Sequence, residues 1–559
     1  MPGDDLLSLL VPSATPARTA PAIPLSEADL GLVPIIHALD IDGQHSRFIA
    51  QVLAGLATDP RTIRYRQDIL SDLLQHPKLV EQLAALLPRL RSLSEPLPFQ
   101  RLSDESPLLQ IGGRLAELDN YVTCVEGLWQ ALDSHIGRLH SKGLAALHAY
   151  LAAVRAEADY LRLSADLPEL RVRLEQAGSI TIGINLNTQL QPESATIVAI
   201  SPERFSGPRT LLGRLLGDRA AAEALRGITS LYRADSAQPR TPEHDLFRDL
   251  NRLLEKVAAP VAAVVEQYKR VHVRPLAAIE PELAFYIGGA RLVRELRALG
   301  LSLCQPEIAP PEERACLIKG SYSLDLALRL RAARGTEALQ GIVTNDVPFD
   351  RHIRVVLLTG PNSGGKTTFT RAVGQSQVLF QAGLPIPGQQ ARISPADAVL
   401  SHFASAERLD LSGGRLAEEL ERLAGIFRVA TPSSLILLNE PLTSTDQGSA
   451  RGLARDLLDG LRLLGARTLF VTHIHELVND ALAQPPGPKG GVISLVAGTS
   501  APAANPSERQ PSYRIEVGSP QLHQQASAIA RSYGLGRDQI AQTLRERGIG
   551  RSEPDSQDR

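Results

Sequence analysis

In the run VVLLTGPNSGGKTT, Gly360 is followed, after four intervening residues, by Gly365-Lys366-Thr367. This G-x-x-x-x-G-K-[ST] spacing binds phosphate. Glycines let the backbone N–H groups curl around phosphate oxygens, the lysine neutralises β/γ charge, and the threonine hydroxyl can ligate Mg²⁺. Gly360, Pro361, Asn362, Ser363, Gly364, Gly365, Lys366, Thr367 and Thr368 are thus candidate contacts for ATP, with Thr367 a Mg²⁺ ligand. Further on, Ser412, Gly413 and Gly414 precede a helical stripe of Leu416, Leu420, Leu423 and Phe427. That turn is either a plain helix cap or a second anion site. The apolar run SLILL then ends in Asn439-Glu440, which sets a carboxylate at a strand end where it can polarise an attacking water. His473 follows another apolar strand, in TLFVTHIHEL.

These residues need a scaffold, and the texture of the chain supplies one. From about 305, short β-rich runs (RVVLLTG, SLILL, RTLFVTH) alternate with helical stretches, the pattern of a parallel sheet. Residues from about 29 to 304 read as mostly helical, with Leu83, Leu86, Leu87 and Leu90 on one face and long Ala/Leu-rich stretches from 144 and from 250. Ile180, Ile182, Ile184 and Leu186 alternate with small or polar residues, and QPES and TIVAI follow, which predicts a hairpin inside the helical region. Residues 204–252 then carry nine arginines against six acids, either a solvated face or a phosphate-contacting surface. The fold class is therefore multidomain, α followed by α/β. The expected division is a disordered leader over 1–28, a helical core and lever over 29–304, an ATPase domain over 305–545 and a flexible tail over 546–559.

Composition excludes some partners. With 59 basic and 61 acidic residues the net charge is −2, so no global field draws the chain to nucleic acid, and aromatics at 4% argue against a base-stacking surface. Cys124, Cys304 and Cys316 form no zinc spacing and read as core or incidental thiols of a reducing compartment. No apolar run reaches the roughly 18 residues that span a bilayer. The N-terminus lacks a signal-peptide pattern, so a cytoplasmic location and no membrane partner are expected.

The order P-loop, Ser-Gly-Gly turn, Asn-Glu strand, histidine resembles that of the ABC ATPase superfamily. That resemblance implies a dimer with shared sites. The 412–414 turn would serve the γ-phosphate of the opposite subunit, the TSTD loop ending at Asp446 would cross the interface, and His473 would sense the γ-phosphate. Details within this order are similar to the MutS family: TGPNSGGKTT, the upstream IVTNDVPFD, and QAGLPIPGQQARISPADAVLSHFAS. The 45 residues between Lys366 and Ser412 leave no room for the helical subdomain of transporters. YRIEVGSPQLHQQASAIARSYGL resembles the MutS C-terminal segment that ends in a helical dimer contact, and RYRQDILSDLLQHPKL resembles the start of the MutS helical core. The resemblance implies an ATP-gated homodimeric clamp on double-stranded or branched DNA, with the clamp over about 178–250. Because the helical core starts near residue 60, the mismatch-reading domain of MutS is not expected, and neither is a nuclease-like extension. The alternative is an ABC-type ATPase or slow nucleotide switch with a protein or RNA partner and no DNA role.

Asn439 departs from this pattern, which has an aspartate, and NEPLTSTD is shorter than its MutS counterpart. The aspartate usually holds Mg²⁺ through bound waters, and an amide oxygen still accepts those hydrogen bonds. One charge against a dication at about 5 Å amounts to roughly 6–7 kcal/mol at an effective dielectric near 20. Most of that is offset by the desolvation an amide avoids, which leaves a net loss of only a few kcal/mol. Glu440, His473 and Lys366 remain as catalytic candidates, with Thr367 and Asn439 at the metal, so slow hydrolysis is expected.

Overall fold

A computed structural model describes residues 8–12, 25–93, 107–175, 179–186, 188, 192–201, 263–268, 273–403, 415–484, 490–499, 511–519 and 534–547. The chain divides into two compact units, one of 1–84, 137–145 and 281–559, the other of 85–136 and 146–280. In chain order the strands are β1 (Ser179–Leu186), β2 (Pro192–Ser201), β3 (Leu303–Cys304), β4 (Glu307–Ile308), β5 (Cys316–Ser321), β6 (Asn345–Phe349), β7 (Ile353–Thr359), β8 (Ile386–Pro387), β9 (Gln390–Ile393), β10 (Val399–Phe403), β11 (Leu435–Asn439), β12 (Arg467–Val471), β13 (Gly491–Thr499) and β14 (Pro511–Val517).

The first unit is built on a six-stranded sheet, order β10-β11-β12-β7-β13-β14. All pairs are parallel except β13–β14. Every residue of β11 and β12 is buried, as in central strands covered on both faces, including the polar Asn439, Arg467 and Thr468. From β7 the chain crosses to β10, returns through β11 and β12, then steps past β7 to β13. That reversal makes the carboxyl end of β7 a switch point, where open α/β sheets bind ligands. One face packs Val355, Leu357, Ile436 and Phe470 against helices Arg415–Val429, Gln447–Leu464 and His475–Ala483. A smaller sheet, order β4-β9-β5-β6, and the pair β3-β8 complete the strands of this unit.

Helix Lys366–Gln381 is buried along most of its length, including Gln375, Gln377 and Gln381. Buried amides need partners. Gln375 Nε2 donates to Leu30 O at 2.8 Å and Gln381 Nε2 to Ala57 O at 2.8 Å, while Arg371 Nε donates to Asp29 O at 3.0 Å. Arg66 Nη1 returns a bond to Gln381 O at 3.1 Å. Residues 25–84, 137–145 and 281–304 therefore belong with the sheet, not with a separate helical core over 29–304. A helix enclosed on all sides needs this cover.

The expected disordered leader is also corrected in part. Leu9 and Leu10 are buried. Ser8 Oγ donates to Glu282 at 2.9 Å, and Leu9 N also donates to that carboxylate. Tyr65, Arg66 and Tyr286 donate to the carbonyls of Ser8, Leu10 and Leu9. Pairing with side chains satisfies the polar backbone of this short irregular segment.

The second unit is helical, with Pro107–Asp133 and Ala158–Glu175 as its long elements. The Ala/Leu-rich stretch from 144 divides between most of helix Lys142–Ala156 and the start of Ala158–Glu175. Arg155 lies 3.7 Å over the Trp129 ring and donates to Glu126 at 2.9 Å. The expected hairpin is present as antiparallel β1–β2, with register shifts at Thr181/Ile182 and Asn185/Leu186. The arginine-rich stretch over 204–252 lies outside the described residues, as does most of the helical run from 250. Cys124 and Cys316 are free and buried, and burial pushes their thiols up to about 12 and about 11, which fits core thiols. No helix among the described residues is long and apolar enough to cross a membrane.

Candidate nucleotide site

Strand β7 delivers Gly360 beside β13. At φ +135° only glycine is comfortable, and a Cβ would lie 2.7 Å from Ala497 Cβ. The loop then turns through Ser363 at φ +65° and Gly365 at φ +87°, which starts helix Lys366–Gln381. Pro361, Asn362, Ser363, Gly364 and Thr368 form the rest of this turn and the first helical positions, with Asn362 and Ser363 exposed.

Three of the expected functional side chains converge on two others: Lys366 and His473 on Glu440, and Asn439 on Thr367. Lys366 is 3% exposed. Its Nζ donates to Gly360 O at 2.8 Å and Pro361 O at 3.0 Å, and lies 3.3 Å from Glu440 Oε1. Burial lowers the lysine's pKa, and Glu440 opposes that shift. Glu440 follows β11 at φ +55°, its N–H donating to Val471 O at 3.1 Å. His473 Nε2 meets the same Glu440 Oε1 at 2.9 Å. The hydrogen bond from His473, then attraction to His473 and Lys366, hold the Glu440 carboxyl below its ordinary value despite partial burial. Thr367 Oγ1 donates to Asn439 Oδ1 at 3.2 Å. This pair of hard oxygens at the head of the helix fits Mg²⁺.

Asp446 stands apart from that cluster. It caps helix Gln447–Leu464, accepting from Ser449 N at 3.0 Å. Hydrogen bonding from the Ser449 side chain, and then from its backbone, holds the Asp446 carboxyl below its ordinary value. Ser412, Gly413 and Gly414 lie outside the described residues.

Known proteins resemble this chain over both units. Residues 58–299 match the family described as the MutS2 N-terminal domain, and residues 356–486 that described as MutS domain V. The "DNA mismatch repair protein MutS" of Chlorobium phaeobacteroides is 26% identical over 417 residues, 72% of this chain and 43% of that protein. The "Endonuclease MutS2" of Thermomicrobium roseum is 28% identical over 424 residues, 71% of this chain and 51% of that protein. The chain belongs to the MutS family. A shorter match, 38% over 144 residues, is to the "DNA mismatch repair protein MutS 2" of Halobacterium salinarum, covering 25% of this chain and 16% of that protein. This MutS-family chain aligns with about half the length, or less, of these curated relatives.

Two parts of the site are absent from the residue spacing. Glu419, on helix Arg415–Val429, accepts from Leu442 N at 2.6 Å and Ser444 Oγ at 2.5 Å, and meets His402 Nε2 at 3.2 Å. Its signal is a charge three residues after Leu416, a position equivalent one heptad later to buried Ile426. Beside the phosphate loop, the Tyr513 ring lies 3.4 Å from where a Gly365 Cβ would be. Asn345, within the IVTNDVPFD segment, braces that strand: its Nδ2 donates to Tyr513 O at 3.0 Å, and its Oδ1 accepts from Ile515 N at 2.7 Å.

Proposed function

We propose that this MutS-family chain binds and hydrolyses ATP with Mg²⁺ and uses the cycle to act on double-stranded or branched DNA as a dimeric, ATP-gated clamp in repair or recombination. The observation that carries the reading is the meeting of Lys366 and His473 on one oxygen of Glu440, with Thr367 and Asn439 paired beside them. The N–H groups of Gly365, Lys366 and Thr367 cradle phosphate, and Lys366 moves from loop carbonyls to the β/γ oxygens. Thr367 and Asn439 would hold Mg²⁺, which when bound neutralises charge on the phosphates. Glu440 orients the attacking water, and His473 fixes the direction of that carboxylate while reaching toward the γ-phosphate.

The DNA and dimer parts rest on kinship. A relative named as a DNA mismatch repair protein aligns with 72% of this chain. The amphipathic helix Arg537–Glu546 has no buried residue, and Leu535, Ile540 and Leu544 are exposed, which suits the helical dimer contact. Asn439 favours a second reading, a slow nucleotide switch whose partner is protein or RNA, because it removes a charge from the metal side of the site.

Mg²⁺-dependent turnover of the purified chain, beside Glu440→Ala, tests the catalytic part. Turnover that the substitution lowers at least a hundredfold, with nucleotide still bound, supports it. Equal rates in both proteins remove Glu440 from the mechanism.

A further inference from the structure

Two non-glycine residues just after β11 hold left-handed backbone, Glu440 at φ +55° and Leu442 at φ +67°. A leucine seldom adopts this conformation, and strained backbone persists only where its surroundings over-determine it. Two groups do so here. The Leu442 side chain is buried, and its N–H donates to Glu419 Oε1 at 2.6 Å. The other oxygen of Glu419 accepts from Ser444 Oγ at 2.5 Å, so one carboxylate grips the turn at two points. His402 on β10, itself buried, donates Nε2–H to Oε1 at 3.2 Å and fixes the carboxylate from the sheet side. His402 Nδ1 has no hydrogen-bond partner among the described residues, so the histidine's polar bonding goes through this contact.

We propose that Glu419 is a positioning residue for hydrolysis: its grip on Leu442 and Ser444, braced by His402, holds the left-handed turn that aims Glu440 at the reacting water. This rests on the reading of the site as an ATPase. Among the described residues Glu419 makes no hydrogen bond or ion pair with the phosphate loop or Glu440, so its effect falls on the chemical step and not on nucleotide affinity. It also ties helix Arg415–Val429 to the loop leading to Asp446, so displacement of that helix is felt at Glu440.

The experiment compares wild type, Glu419→Ala, Glu419→Gln and Ser444→Ala by steady-state ATP turnover, fluorescent-nucleotide binding and amide hydrogen exchange at Leu442. Glu419→Ala should lower kcat about 10–100-fold while KM and nucleotide Kd stay within about twofold, and the Leu442 amide should lose protection. Glu419→Gln keeps an acceptor for Leu442 N and should recover most of the rate. Ser444→Ala, at an exposed position, should cost about two- to fivefold in kcat. An unchanged kcat in Glu419→Ala, or a raised KM at constant kcat, overturns the proposal. If Glu419→Ala does not fold, full activity in Ser444→Ala with protected Leu442 overturns it instead. Wild-type turnover that Glu440→Ala abolishes but Glu419→Ala spares sinks this inference alone. Absence of wild-type turnover sinks the ATPase reading and this inference together.

Discussion

In the proposed site, Thr367 and Asn439 are the pair on which Mg²⁺ binding would turn. The amide oxygen that meets Thr367 Oγ1 at 3.2 Å can accept from metal-bound water as a carboxylate would, yet brings no charge. Asn439→Asp should therefore lower the Mg²⁺ concentration for half-maximal turnover about tenfold, equivalent to roughly 1.4 kcal/mol, or raise the rate at limiting Mg²⁺. An unchanged Mg²⁺ titration and rate would mean that the charge has no bearing here. Glu440 offers a second test. Its carboxyl lies below the usual 4.5, chiefly through His473, so the folded state favours the ionised form. That stabilisation is full above the ordinary carboxylate pKa and is lost as pH falls through the lower folded value. His473→Ala removes the leading cause, so the acid limb of the residual rate profile should move to higher pH. An acid limb that stays in place assigns it to another group. The five residues Lys366, Thr367, Asn439, Glu440 and His473 are legible in the sequence because each ends or follows an apolar strand in a fixed order. Glu419 is not legible, since its partners are a loop N–H 23 residues on and a histidine 17 residues back, contacts that only the packed fold creates.

At the scale of elements, helix Lys366–Gln381 is the pivot. It carries the phosphate loop at one end and is clamped along its length by residues 29–66. Gly374 sits where Leu30 and Leu437 close on it, and a Cβ there would lie 2.6 Å and 2.8 Å from their methyl carbons. Helix propensity alone makes Gly374→Ala stabilising by about 1 kcal/mol. Overpacking in a dense core costs typically about 1–3 kcal/mol, so the net effect should be a loss of about 1 kcal/mol. A urea denaturation midpoint below wild type is expected, and a raised midpoint would show that the two leucines yield freely. The sequence predicts the helix and the parallel strands on both sides of it from the βα alternation. It does not reveal that the early helices cover this one, because an apolar stripe does not name its partner. The buried leader residues Leu9 and Leu10 escape for a related reason: their anchors, Arg66 and Glu282, lie 56 and 273 residues away.

At the scale of the whole molecule, the nucleotide site belongs to the unit built on the large sheet, and the hairpin β1–β2 to the other. The chain passes between the units four times, at 84/85, 136/137, 145/146 and 280/281, so the proposed cycle at Glu440 would have covalent routes into the second unit. The balanced charge, net −2, means that any grip on DNA comes from a local patch and should weaken steeply with salt. The most direct measurement is ATP turnover of the full chain with no DNA, with duplex and with a four-way junction, at two salt concentrations. Stimulation by at least one DNA that fades at higher salt, and is absent in Glu440→Ala, is the expected result. Turnover indifferent to every DNA, at both salt concentrations, would contradict a DNA-gated cycle and favour the protein- or RNA-linked switch.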